Sequence, residues 1–330
     1  MSLSMKAIVL TKYGSSEALQ FREVAKPIPK DNEVLVKIHA TSINDWDWCL
    51  MRGTPFYIRL LCGLLKPKVQ IPGVDIAGEV VAIGKNVSQL KPGDRVYGDL
   101  SENGFGGFAE YACAPVTTLA LMPKNMSYID AAAIPHAAML ALQGLRDLGK
   151  IQPGQKLLIN GAGGGVGTLG VQIAKSIGVE NITGVDCSNK LDMMRSLGFD
   201  RTIDYQQEDF TENERNYDLI LDPKTNRSIF KYLRVLKPHG TYVTVGGETP
   251  RLLQALFLFP IIRFFLKKNV LVLALKPNKD LDYIKELFEA GQIKPVIKSF
   301  YKLSEVPEAI QHFGEGNHQG KVIITLESNL

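Results

Sequence analysis

The chain has 330 residues, 45% of them hydrophobic and 22% charged, the balance of a globular protein long enough for two domains. Its 38 basic and 34 acidic residues are interspersed and leave a net charge of only +4, which points away from nucleic acid as a partner. Cys49, Cys62, Cys113 and Cys187 lie in no CxxC or CxxxC spacing. That excludes a disulfide framework and a cysteine-rich zinc lobe, and fits a reducing cytoplasm.

The opening MSLSMKAIVL carries one lysine and runs straight into an alternating strand, so a secretion signal is not expected. Up to about residue 122 the signals are short and strand-like: KAIVL, LQFREV, EVLVKIHA, IAGEVVAIG, DRVYG and FAEYACA, separated by Pro, Gly and Asn-Asp turns. They predict a compact, barrel-like β domain. Residues 44 to 66 read as a longer irregular segment holding Asn44, Trp46, Trp48, Phe56 and Tyr57. At Ser127 a cap-like serine with Asp130 three residues on opens alanine-rich helical text, broken by Pro135.

From there strands and helices alternate. KLLIN, ITGVD, YDLILD and TYVTVGG read as strands. The stretches from Gly165 to Ile177, SNKLDMMRSLG and SIFKYLRVLKPHG read as helices. This alternation predicts a parallel, doubly wound sheet and an α/β fold class. The apolar run at 252 to 266 is broken by Gln254, Pro260 and Arg263 and falls short of the roughly 20 residues of a bilayer span. It reads as a buried or interface helix, with no membrane contact expected. LDYIKELFEAGQIKP predicts one more amphipathic helix, after which short strands resume.

In NGAGGGVG at 160 to 167, glycines supply a tight strand-to-helix turn and leave helix N-terminal amides free for a pyrophosphate. The expected cofactor contacts are Gly164, Gly165, Val166 and Gly167. Asp186 follows nineteen residues later at the end of the next strand, where a carboxylate accepts ribose hydroxyls and repels a 2′-phosphate. It favours NADH. Ser188, Asn189 and Lys190 stand beside it as an alternative phosphate loop or, more plainly, a helix cap and a solvated lysine. Ligands gather at the carboxyl ends of parallel strands, which adds Asp222, Pro223 and Asn226 and the pair Gly246 and Gly247.

With the turn embedded in this order of domains, the chain resembles the medium-chain dehydrogenase/reductase family, and within it the zinc-independent, zeta-crystallin-like quinone oxidoreductases. The resemblance runs through ATSINDWDWCLMRG at 40 to 53, IPGVDIAGEVVAIG at 71 to 84, KPGDRVYG at 91 to 98, GFGGFAEYACAP at 104 to 115, the glycine turn, RSLGFDRTIDY at 195 to 205 and GKVIIT at 320 to 325. It implies a GroES-like β-rich catalytic domain at residues 1–125 and 295–330, a Rossmann domain at 126–294, and NAD(P)H between them. The family's habit leans to NADPH. Where family text is VVGN-like this chain has DPKTN, which puts the contacts at Lys224 and Thr225 in question.

Zinc-dependent relatives place a cysteine at the position of Asn44, a His-Glu pair at Val74 and Asp75, and a cysteine near His136, so the resemblance implies no zinc here. His136, beside Pro135, reads as a packed, hydrogen-bonded histidine. Without a Lewis acid an ordinary alcohol is hard to oxidise, whereas a quinone or α,β-unsaturated carbonyl accepts hydride and spreads the charge onto oxygen. Asn44, and Tyr57 on the aromatic segment, are the candidate donors to that oxygen. NVLVLAL at 269 to 275 resembles the edge strand through which family dimers pair. The rival readings are a dinucleotide-binding protein with a structural or membrane-trafficking role and, least favoured, a zinc alcohol dehydrogenase.

Overall fold

The computed structural model describes residues 3–212, 216–247 and 249–326. Two compact units divide the chain: residues 1–136, 277–289 and 297–330 form the first, residues 137–276 and 290–296 the second.

In the first unit β1 (Ser4–Leu10) and β2 (Leu19–Ala25) pair as an antiparallel hairpin. β3 (Glu33–Ser42) leads into α1 (Asp45–Arg52) and α2 (Phe56–Cys62), two short helices in the stretch expected to be irregular. Asp47 closes the start of α1 by accepting the Asn44 backbone N–H, and Gly53 ends it in the left-handed conformation at φ 60°. β4 (Asp75–Ile83), β5 (Arg95–Asp99), β6 (Tyr111–Pro115) and β7 (Ala120–Leu121) follow. Alternation of apolar and polar residues along β3 and β4 buries Val34, Val36, Ile38, Ile76 and Val80 in one core.

α3 (Tyr128–Ala132) begins at Ser127, whose hydroxyl accepts the Asp130 N–H, and α4 (Pro135–Leu142) restarts the helix at Pro135. The second unit then runs β8 (Lys156–Asn160), α5 (Gly165–Ser176), β9 (Asn181–Asp186), α6 (Leu191–Ser196), β10 (Arg201–Asp204), β11 (Tyr217–Asp222), α7 (Ile229–Val235), β12 (Leu236–Thr244), α8 (Thr249–Leu266) and β13 (Asn269–Val272). Its six strands form one parallel sheet in the order β10-β9-β8-β11-β12-β13. Strand order reverses between β8 and β11, which opens a crevice at their carboxyl ends.

α9 (Leu281–Glu289), β14 (Ile297–Lys302), α10 (Val306–Glu315) and β15 (Lys321–Thr325) complete the first unit. The strand path there is β14-β15-β3-β4-β5-β7, with β6 also on β3, so the last described strand lies inside the sheet.

The units depart from the division at 125 and 295. Residues 126–136 pack on the first unit, where Tyr128 stacks on His39 and lies under Arg95. Residues 277–289 join it as well, because the Asn278 amide bonds the backbone N–H and C=O of Asp99, each at 2.8 Å. Two further expectations change. Helix α7 stops at Val235 and LKPHG continues as strand in β12. In α8 only Ala255 and Ile262 are buried, while Leu253, Leu256, Phe257, Ile261, Phe264 and Phe265 face solvent, so it is not a buried core helix. It is long and apolar enough to cross a membrane.

Candidate functional site

In the second unit the glycine turn joins β8 to α5. Gly164 adopts extended backbone as the N-cap, and Gly164, Gly165 and Val166 stay accessible while Gly167 is buried. The first amides of α5 have no intrahelical acceptor and carry the positive end of the helix dipole. The glycines serve different ends. A methyl group on Gly164 would meet only the Gly161 carbonyl at 3.6 Å, whereas one on Gly167 would stand 2.5 Å from the Ala162 backbone. Gly167 is required for packing; Gly164 leaves room for a ligand.

Asp186, at the end of β9, reaches back to this turn. Oδ2 accepts the Gly163 N–H at 2.8 Å, Oδ1 accepts the Cys187 N–H at 2.9 Å, and the Lys190 ammonium lies 3.2 Å away. Burial alone would push this carboxyl up, but Lys190, the two N–H groups and Lys224 outweigh it and hold it below the usual range. Lys190 is buried rather than solvated. Asp186 is thus no lone carboxylate awaiting a ribose, and its repulsion of a 2′-phosphate is largely cancelled by its own counter-ion. Ser188 is exposed at the start of the same loop.

Asp222 corrects the sequence-based assignment. Its carboxylate is fully buried and accepts from the Asn160 side chain at 2.8 Å, Lys224 N–H at 3.0 Å, Thr225 N–H at 2.9 Å and Tyr242 hydroxyl at 2.7 Å. Four donors fill it, so it anchors the loop and has nothing to offer a cofactor. Asn226 is exposed, on longer contacts of 3.5 and 3.4 Å to Asn160 and Tyr232. A methyl on Gly246 would meet nothing, whereas one on Gly247, at φ 111°, would strike the Lys224 carbonyl at 2.5 Å. Gly246 lies open to a ligand and Gly247 packs the loop.

In the first unit, Asn44, Asp75 and His136, at or beside the positions that match zinc ligands in relatives, meet in a buried polar network with Lys321, which no sequence motif announced. Lys321 Nζ donates to Asn44 Oδ1 at 2.6 Å and to Asp75 Oδ2 at 3.3 Å. Asn44 Nδ2 gives one N–H to Asp75 Oδ2 at 3.0 Å and has only long contacts, 3.4 and 3.5 Å, to Ser42 for the other. Asp75 also accepts Ser42 Oγ and the His136 backbone N–H, each at 2.9 Å. His136 Nδ1 lies 2.7 Å from Asp99 Oδ2. Burial would lower the imidazole and raise the carboxyl; the pairing reverses both, so His136 is raised and Asp99 lowered.

This donor set does not fit zinc. The one carboxylate at the zinc-ligand positions already faces an ammonium, Asn44 Oδ1 is taken by the same ammonium, and the imidazole is bound to Asp99. Among the described residues no group of three or more His, Cys, Asp and Glu could hold a metal ion. Tyr57, on α2, is partly exposed; burial, with Cys49 adding to it, raises its phenol, which keeps it a donor at neutral pH.

Asp47 lies against the same network, accepting the N–H groups of Asn44 and Gly73, both at 2.9 Å. Complete burial nevertheless pushes its carboxyl up to about 7, the two N–H groups pulling it down. A carboxyl that binds its proton more tightly folded than unfolded, where its value is about 3.9, contributes stability that is fully present below that value and lost as pH rises toward the folded one. Asp47→Asn is expected to lose less stability than the native chain between pH 5 and pH 8. Urea midpoints at the two pH values check this, and identical losses would contradict it.

Known proteins match this architecture over most of the chain. Residues 30–124 match the alcohol dehydrogenase GroES-like domain and residues 197–324 the zinc-binding dehydrogenase family. A 2-methylene-furan-3-one reductase of Solanum lycopersicum is 34% identical over 97% of this chain and 79% of its own. A chloroplastic quinone-oxidoreductase of Triphysaria versicolor is 32% identical over 97% and 98%. The solved quinone oxidoreductase of Coxiella burnetii superposes with a TM-score of 0.87 at 26% identity, covering 98% of this chain and all of that one. The chain belongs to the medium-chain dehydrogenase/reductase family. Its relatives place it among the zinc-independent quinone oxidoreductases and enone reductases of that family, and it is an NAD(P)H-dependent oxidoreductase. The zinc in the matched family's description finds no ligand set among the described residues of this member, because Asn44 and Asp75, at its ligand positions, are engaged by the Lys321 ammonium.

Proposed function

We propose that this medium-chain reductase transfers hydride from NAD(P)H to a quinone or an α,β-unsaturated carbonyl, without zinc. The observation that carries the reading is the Lys321 ammonium against Asp75 and Asn44, which spends the polar groups that would have to bind a Lewis acid. An alcohol would then lack a partner for its alkoxide, while a conjugated acceptor delocalises the incoming charge onto oxygen and asks only for a hydrogen bond. Bound NAD(P)H supplies the hydride.

The chain's own residues divide the remaining work. The open amides of α5 and the bare surface at Gly164 and Gly246 receive the dinucleotide. The loosely engaged N–H of Asn44 and the Tyr57 hydroxyl are the proposed donors to the acceptor oxygen. Lys190 at Asp186 supports use of NADPH as well as NADH. Relatives named as an NADPH-dependent alkenal/one oxidoreductase and a quinone oxidoreductase support the same chemistry. We further propose a cytoplasmic homodimer, on the four free cysteines and on β13 as an edge strand whose outer side is unpaired among the described residues.

The test is a panel of quinones, enones, aldehydes and alcohols assayed with each nicotinamide cofactor. Oxidation of NADPH or NADH by quinones or enones, without turnover of simple alcohols and without response to chelators, is expected. Alcohol oxidation that needs added zinc would overturn the reading.

A further inference from the structure

The loop after β11 is built to hold one side chain out. Asp222 Oδ1 accepts the backbone N–H groups of Lys224 and Thr225, and Thr225 is held at φ 45° with its hydroxyl bonded to the Asp222 carbonyl at 3.2 Å and to Thr244. Gly247 packs directly on the Lys224 carbonyl. The backbone of Lys224 is therefore fixed from three directions, while its side chain is exposed.

That exposed side chain stays beside the turn. It lies across the first glycine of the turn: a methyl on Gly161 would stand 2.9 Å from Lys224 Cγ, 3.2 Å from Cε and 3.5 Å from Cδ. Its ammonium makes no hydrogen bond or ion pair among the described residues, although its charge acts on Asp186. Lys190, the other cation here, is buried against Asp186 and spent there. An unpaired ammonium, mounted on a fixed backbone and laid over a turn whose amides await an anion, has one evident use.

We propose that Lys224 is a cofactor-binding residue that places its ammonium on the pyrophosphate of the dinucleotide, the part common to NADH and NADPH. This rests on the cofactor reading above and adds to it a residue from the stretch where DPKTN replaces the family's usual text. Gly161, held at φ 91°, leaves the bare surface across which Lys224 lies, and the buried Asp222 holds the loop that carries Lys224.

The test compares native protein, Lys224→Gln, Lys224→Ala and Lys224→Arg by calorimetric titration with NADPH, NADH and ADP. Loss of one charge-assisted contact is expected to weaken all three in Gln and Ala by a similar factor, about tenfold, and Arg to recover most of it. Melting curves without nucleotide are expected to coincide, since the side chain is exposed and its ammonium makes no ion pair among the described residues. Unchanged dissociation constants in Gln and Ala overturn the proposal. Weakening of NADPH alone also overturns it, since the ammonium would then serve the 2′-phosphate. If the native protein binds none of the three, the cofactor reading itself falls, an outcome distinct from native binding that is insensitive to Lys224.

Discussion

Replacing Lys321 with methionine is expected to remove about 3–5 kcal/mol of stability, the cost of leaving a buried carboxylate without its counter-charge. Lys321 and Asp75 are 4% and 0% exposed, so solvent cannot substitute for the missing ammonium. Methionine fills much the same volume, so the loss reports charge and hydrogen bonding rather than a cavity. Asp75→Asn in the same background is expected to restore part of it, because the remaining amides and hydroxyls then surround a neutral group. The loss in the double variant should fall well below the sum of the two single losses. Denaturant midpoints of the four proteins decide the matter, and a loss below about 1 kcal/mol in Lys321→Met would show the ion pair to be dispensable.

The second large effect separates two glycines three residues apart. Gly164→Ala has space for its methyl and is expected to melt like the native chain while binding NADPH and NADH at least about tenfold more weakly, since the methyl stands where α5 presents its first amides. Gly167→Ala drives a methyl to 2.5 Å from the Ala162 backbone, which no rotamer can relieve, and is expected to cost about 2–3 kcal/mol. Melting temperature and nucleotide titration on both variants give opposite patterns if the assignment holds. Native affinity in Gly164→Ala would reduce the whole turn to a packing device.

The strands, the glycine turn and the helices of the parallel sheet were legible because each is written in local periodicity and punctuation. What local text cannot say is which neighbour an element meets. The helix at Leu281–Glu289 was visible, but its place in the first unit depends on Asn278 meeting the backbone of Asp99, 179 residues away. Asp222 looked like a ligand at a strand end because its four donors come from positions 160, 224, 225 and 242. The apolar text of 252 to 266 predicted a buried or interface helix, and local text could not say which; the stripe from Leu253 to Phe265 faces outward. GKVIIT reads as a short strand, and nothing near it in sequence announces that Lys321 will lie against Asn44 and Asp75.

That placement bears on how the molecule is made. β15 lies between β14 and β3, and Asp75 must wait 246 residues for the ammonium that β15 delivers. During synthesis the hairpins of the first unit emerge early but lack both an interior strand and a counter-ion. The second unit has all six of its strands in hand by residue 272. The middle of the chain can thus fold before its beginning, because the first unit is complete only once β15 has been made.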